Sequence, residues 1–163
     1  MIERVISGGQ RGADQAGLRV ARDCGIPTGG WMPLGYLTLD GPDPELAKIY
    51  NMSEHKSPTY APRTYANVKD SEGTIRCAYD FFSAGEKCTM KAIKQYQRPF
   101  FDIDLSGLPE DEEVIEWIIN NNLKVLNIAG NAGRTTKQTM DIFRTTCKYL
   151  KGIFRAVQKE TEL

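Results

Sequence analysis

The chain opens with a β-branched run, Ile2–Ser7, that stops on Gly8-Gly9 and gives way to residues at helical spacing: Ala13, Ala16, Gly17, Val20, Ala21 and Cys24. That change of pattern across a glycine loop reads as strand, tight turn and amphipathic helix over residues 13–24. Gly25-Ile26-Pro27 then ends the helix, because glycine readily takes the left-handed closing conformation and proline cannot continue the hydrogen-bond ladder. An opening of this kind constrains everything after it, since a parallel neighbour strand can be reached only through a crossover.

The alternation recurs. Pro58–Lys69 reads as a helix and Gly73–Tyr79 as a second strand, followed by a small-residue turn at Ser83–Gly85 and a helix near Lys87–Gln97. Pro99–Leu105 is a third strand. Leu108-Pro109 and the acids after it start a helix to about Asn121, as proline tolerates the first turn and carboxylates complement the helix dipole. Leu123–Ala129 forms a fourth strand closed by Gly130, and Met140, Phe143, Cys147, Leu150, Phe154 and Val157 mark a long terminal helix. The apolar stripe of that helix either covers the sheet or meets a partner chain. Residues 27–57 hold Gly29, Gly30, Pro33, Gly35, Gly41, Pro42 and Pro44, which predicts an ordered loop without long regular structure. A length of 163 residues fits one domain over residues 1–163. The expected architecture is α/β: a three-layer, Rossmann-like fold with a mainly parallel sheet and helices on both faces.

Ligands of such sheets sit beyond the carboxyl ends of the strands. Three small-residue turns fall there, Ser7-Gly8-Gly9, Ser83-Ala84-Gly85 and Ala129-Gly130, and are expected to converge on one crevice. The stretch Gly8-Gly9-Gln10-Arg11-Gly12-Ala13-Asp14 joins glycines, which admit a close ligand, to a helix start whose N–H groups suit an anion such as phosphate. It matches neither the dinucleotide fingerprint nor the P-loop, and a tight turn without ligand is the plainer reading. Arg11 either pairs with a phosphate or stays solvated; Asp14 either serves the helix N-terminus or reads a ligand hydroxyl. Trp31 after Gly29-Gly30 is a wall for a flat heterocycle or a core residue. Tyr60, Arg63, Thr64 and Asn67 share one helix face, which lines a crevice or faces solvent.

Charge narrows the partners. Lysine plus arginine and aspartate plus glutamate are 21 each, so there is no basic surplus of the kind nucleic-acid binding uses. No apolar run spans a bilayer and no signal segment opens the chain, so a cytoplasmic, membrane-free protein is expected. Cys24, Cys77, Cys88 and Cys147 lie far apart without a C-x-x-C pair, which fits reduced thiols. His55 is the single histidine, which excludes a multi-histidine metal site.

Gly-Gly-Gln-Arg-Gly-Ala-Asp at residues 8–14 is similar to the GGQ-x-G-x-D signature of the molybdenum carrier (molybdenum cofactor carrier) family. These are small Rossmann-like proteins of the circularly permuted SLOG class, related in fold to lysine-decarboxylase-like phosphoribohydrolases. The likeness continues through residues 25–33, Asp40-Gly41-Pro42, Tyr60–Val68, Asp70–Thr74 and Leu126–Gly130. The resemblance implies binding of the molybdenum cofactor (molybdopterin), a phosphorylated pterin, for storage or delivery to molybdenum-enzyme acceptors, by a homo-oligomer without catalytic residues. Carried onto this chain, it implies an anion loop of Gly8, Gly9, Gln10, Gly12 and Asp14, to which this chain's own Arg11 adds a candidate phosphate contact. It further implies a pocket wall at Gly30 and Trp31, polar contacts from Arg63, Thr64 and Asn67, and ligand-facing turns at Ser83, Gly85, Thr89 and Gly130. The chain departs from the family pattern at Arg11 and Glu86, each standing where a threonine is usual, and at Leu34, where a lysine is usual. A nucleotide-binding sensor and a phosphoribohydrolase-like enzyme acting on a nucleotide are the rival expectations.

Overall fold

The computed structural model of the chain describes residues 1–160. Its centre is a five-stranded sheet, every neighbouring pair parallel, built from β1 (Arg4–Ser7), β2 (Thr28–Gly29), β7 (Gly73–Ala78), β8 (Phe100–Asp104) and β9 (Val125–Gly130). The spatial order is β2-β1-β9-β7-β8. Going from β1 to β2 and from β8 to β9 the chain moves one way across the sheet; from β7 to β8 it moves the other. Right-handed crossovers then put α1 (Ala13–Asp23) and α5 (Asp111–Asn120) on one face and α4 (Ala84–Tyr96) on the other. Contacts agree: α6 (Thr136–Glu160) packs on α1 and α5, while α3 (Tyr60–Asp70) packs on α4. This is the expected three-layer, Rossmann-like α/β fold. The strand order reverses around β9, so β1, β9 and β7 end side by side where such folds bind ligands.

The stripe of α6 covers the sheet. Leu150, Ile153, Phe154 and Val157 are buried within the chain, joined by Ile142 and Tyr149, and each full burial contributes about 1.5–3 kcal/mol. Met140, counted in the sequence pattern, is instead exposed and Phe143 and Cys147 are half-buried, because Ile142, Thr146 and Tyr149 take the inward face of the first half of the helix. A second boundary also moves. Ser83–Gly85, expected as a turn before a helix near Lys87, is the N-cap and first residues of α4, with the Ser83 hydroxyl accepting the Glu86 amide at 3.3 Å.

The excursion between β2 and α3 is an ordered loop as expected, and it carries short pairs. β3 (Trp31–Met32) pairs with β6 (Ser53–Glu54), and β4 (Leu37–Thr38) with β5 (Gly41–Pro42). Between them lies α2 (Pro44–Ile49), capped by Asp43 at 3.0 Å. Among the described residues no helix is long and apolar enough to cross a membrane.

Candidate functional site

The three strand-end turns converge. Above the carboxyl ends of β1, β9 and β7 lies a crevice of about 1190 Å³, floored by Gln10, Asp14 and Gly130 and walled by Arg63 and Thr64 of α3 and Ser83, Gly85, Glu86 and Thr89 of α4. The start of α6 and the loop before it, Asn131 to Gln138, complete the wall, and Leu39 overhangs from the β4–β5 hairpin. Among the sequence candidates, Gln10, Asp14, Arg63, Thr64, Ser83, Gly85, Thr89 and Gly130 line this space. Gly8, Gly9, Arg11 and Gly12 do not; they form its underside.

That underside explains what the glycine loop does. The amides of Gly8 and Gln10 both donate to the Asp14 carboxylate, the latter at 3.1 Å. The Gly9 amide donates to the Ser7 hydroxyl and the Arg11 amide to the Gln10 side chain. The loop has an anion site, and a carboxylate of the same chain occupies it. Gly8 also lets Arg63 lie flat on the loop: a Cβ there would stand 2.1 Å from Arg63 Nη1.

Arg63 is the deep cation. Its Nη1 lies 3.8 Å from Asp14 Oδ2 and donates to the Thr64 hydroxyl, and its guanidinium sits 5.6 Å over the Tyr60 ring. Its Nε is buried and has no acceptor among the described residues, a state that costs about 1–3 kcal/mol. Burial pushes the Asp14 carboxyl up to about 6, against the pull of Arg63 and the two loop amides, with Glu86 adding to the rise. The folded value lies above the unfolded one, so this group favours the fold most at low pH, and that support is lost as pH rises through about 4 to 6. A carbon-detected NMR titration is expected to place the Asp14 carboxyl midpoint near 6; a midpoint near 4 would show that the carboxylate is solvated.

Glu86 is 3% exposed, and burial raises its carboxyl above the ordinary range while Ser83, Asn131 and Arg76 hold it down. Its Oε2 accepts from the Ser83 hydroxyl at 2.6 Å and from Asn131 Nδ2 at 2.9 Å. Beneath it Arg76 of β7 grips Asp102 through two bonds of 2.7 and 2.6 Å and donates to the Glu86 carbonyl at 3.1 Å, fixing the first turn of α4 to the sheet. Two cations lie at the opposite rim, Arg134 and Lys137 at the start of α6. There the Thr135 hydroxyl caps the Gln138 amide at 3.2 Å and Gln138 Oε1 accepts the Arg134 amide at 2.9 Å, a reciprocal cap. The crevice thus sets charged groups into a largely apolar lining: Arg134, Lys137 and Asp141 on the α6 side, Asp14, Asp80 and Glu86 elsewhere, and Arg63 on α3. Asn131, Arg134 and Lys137 went unread in the sequence, although Thr135-Thr136-Lys137-Gln138 carries the capping spacing that would have flagged them.

Arg11 turns away from the crevice. Its Nη1 pairs with Asp40 at 2.8 Å and Nη2 donates to the Gly133 carbonyl at 3.0 Å, tying the β4–β5 hairpin to the loop after β9. Gly30 and Trp31 border a separate hollow of about 130 Å³ with Arg4 and Asp70. The Trp31 indole donates to Asp70 at 2.8 Å and meets the His55 ring edge-on. Asn67 is buried and clamps the Trp31 backbone, accepting from its amide at 2.8 Å and donating to its carbonyl at 3.0 Å. All four cysteines are free. Cys77 is fully buried, and Cys88 borders the crevice.

Comparison with known proteins puts this geometry in context. The profile of the circularly permutated YpsA SLOG family matches residues 5–154. A solved structure from Syntrophus aciditrophicus SB, described as a "putative molybdenum carrier protein", is similar at 33% identity, with 94% of each chain covered and a TM-score of 0.81. No curated protein matches.

Proposed function

We propose, from the premise that this chain belongs to the circularly permuted YpsA SLOG family, that it is a carrier holding a phosphorylated pterin-type ligand, the molybdenum cofactor, in the crevice without altering it. The observation that carries the proposal is a large crevice whose lining brings the cations Arg63, Arg134 and Lys137 together with the carboxylates of Asp14, Asp80, Glu86 and Asp141. A site built that way suits a bipolar ligand. The phosphate fits the Arg134 and Lys137 rim, where the dipole of α6 adds positive potential. Ring acceptors meet Arg63, and groups that donate protons meet the acidic side. The volume of about 1190 Å³ exceeds the roughly 300–1,000 Å³ of ordinary ligand pockets, so a cargo larger than a mononucleotide has room. The name of the Syntrophus relative supports this assignment, and four free thiols support a reducing, cytoplasmic setting. As a carrier the protein would form a homo-oligomer and pass its ligand to molybdenum-enzyme acceptors.

Protein isolated under anaerobic, reducing conditions is expected to contain molybdenum and to release a fluorescent pterin on oxidation. Stoichiometric nucleotide with neither pterin nor metal would overturn the proposal. The enzymatic rival rests on Glu86, since a buried carboxyl of raised pKa in a cleft suits general acid catalysis. Release of free base from nucleoside monophosphates by the wild type, abolished in Glu86→Gln, would establish that reading instead.

A further inference from the structure

The side of the crevice bounded by α4 has one atom with nothing to bind. Glu86 Oε2 takes two hydrogen bonds, from Ser83 and Asn131, whereas Oε1 takes none among the described residues, although the side chain is almost wholly buried and borders the cavity. Ser83, Asn131 and Arg76 favour its ionised, accepting form against the upward push of burial. Asn131 cannot flip, because its Oδ1 accepts the amides of Tyr79 and Asp80 at 2.9 and 3.0 Å while its Nδ2 donates to the Asp80 carbonyl at 2.9 Å. Asn131 Nδ2 therefore always presents a donor to Glu86. Arg76 and the Ser83 cap hold the same turn in place. An acceptor held this rigidly at the crevice surface discriminates, because a ring that covers it without the matching donor shuts it off from water and leaves it unpaired.

Resting on the reading of the crevice as a site for a phosphorylated heterocycle, we infer that Glu86 Oε1 determines which ring is taken, selecting a 2-amino-4-oxopyrimidine edge, as in guanine and pterins, by accepting its exocyclic N–H. The threonine usual at this position could offer a hydroxyl to either a donor or an acceptor; a carboxylate offers acceptance alone. The consequence for Glu86→Gln is specific. The glutamine oxygen must occupy the Oε2 position to receive Asn131 Nδ2, so the amide nitrogen replaces Oε1 and points a donor at the ring. The variant should then prefer a ring with a carbonyl where guanine has its amino group.

Calorimetric titration with GMP, IMP and XMP, which carry an amino group, hydrogen and oxygen at that carbon, tests this. Wild type is expected to bind GMP at least about tenfold more tightly than IMP, with XMP weakest, and Glu86→Gln to bind XMP more tightly than GMP. Equal binding of all three by the wild type would remove the inference and leave the phosphorylated-heterocycle reading standing. A Glu86→Gln variant that keeps the GMP preference overturns it too, as does absence of binding by all three. The wild-type series alone decides the matter if the variant fails to fold.

Discussion

Arg63→Met is expected to weaken binding of a phosphorylated pterin by at least about 100-fold, because two or more charge-assisted hydrogen bonds at about 1.5–3 kcal/mol each are lost together. The same change leaves Asp14 buried without its cation. Breaking a buried pair costs about 3–5 kcal/mol; here the 3.8 Å separation and the two loop amides that still serve Asp14 reduce the expected loss to about 2–3 kcal/mol. Adding Asp14→Asn should recover much of the stability and none of the binding, which chemical denaturation and titration on the same samples would separate. Gly8→Ala supplies a control of different origin. Its Cβ would meet the Arg63 guanidinium and, at 2.8 Å, the buried Asp14 carboxylate, at a backbone angle outside the left-handed region, so both binding and the melting temperature should fall. Unchanged affinity in Arg63→Met would remove Arg63 from the site.

The largest loss of stability is expected at Gly130→Ala. Gly130 has φ of 147° at the carboxyl end of β9, and a Cβ there would stand 1.9 Å from the Cys77 carbonyl oxygen and 2.8 Å from the Ala13 side chain. The first obstacle is backbone of the neighbouring central strand, paired in register at Cys77 and Gly130, so it cannot step aside as a side-chain tip can. Strain in a conformation that suits only glycine adds to the clash. A loss of about 4 kcal/mol or more in urea unfolding is expected, and a loss below about 1 kcal/mol would mean that β9 and β7 are not packed as described.

Much of the fold was legible because its long elements carry strong periods. In α1 and α6 the apolar spacing reports one buried face, and the order of strands and helices implied the parallel sheet before any contact was known. The misplaced start of α4 has a physical reason: Ser83-Ala84-Gly85 has the composition of a turn, and only the Ser83 hydroxyl folded back on the Glu86 amide makes it a helix start. The pairs between Trp31 and Glu54 are two residues long, too short for any periodicity, and exist because tertiary packing aligns them.

The candidate site was legible as a place and not as a set of atoms. Glycines after β1 marked a strand end accurately, yet the amides of Gly8 and Gln10 turn out to serve Asp14, the latter by a bond across four residues that no spacing announces. Trp31 read as either a wall for a ring or a core residue, and the hydrogen bonds it donates to Asn67 and Asp70 hold it at a different hollow. Arg11, read from sequence as either a phosphate partner or a solvated cation, finds Asp40 instead, from a hairpin whose position depends on the whole excursion.

Amide chemical-shift mapping during titration with a phosphorylated pterin is the most direct test that this crevice receives the ligand. Shifts should concentrate in residues 60–64, 83–89 and 130–138 and leave the surroundings of Trp31 and Asp70 unmoved. Shifts centred on Trp31, His55 and Asp70 with a silent α6 start would contradict the account.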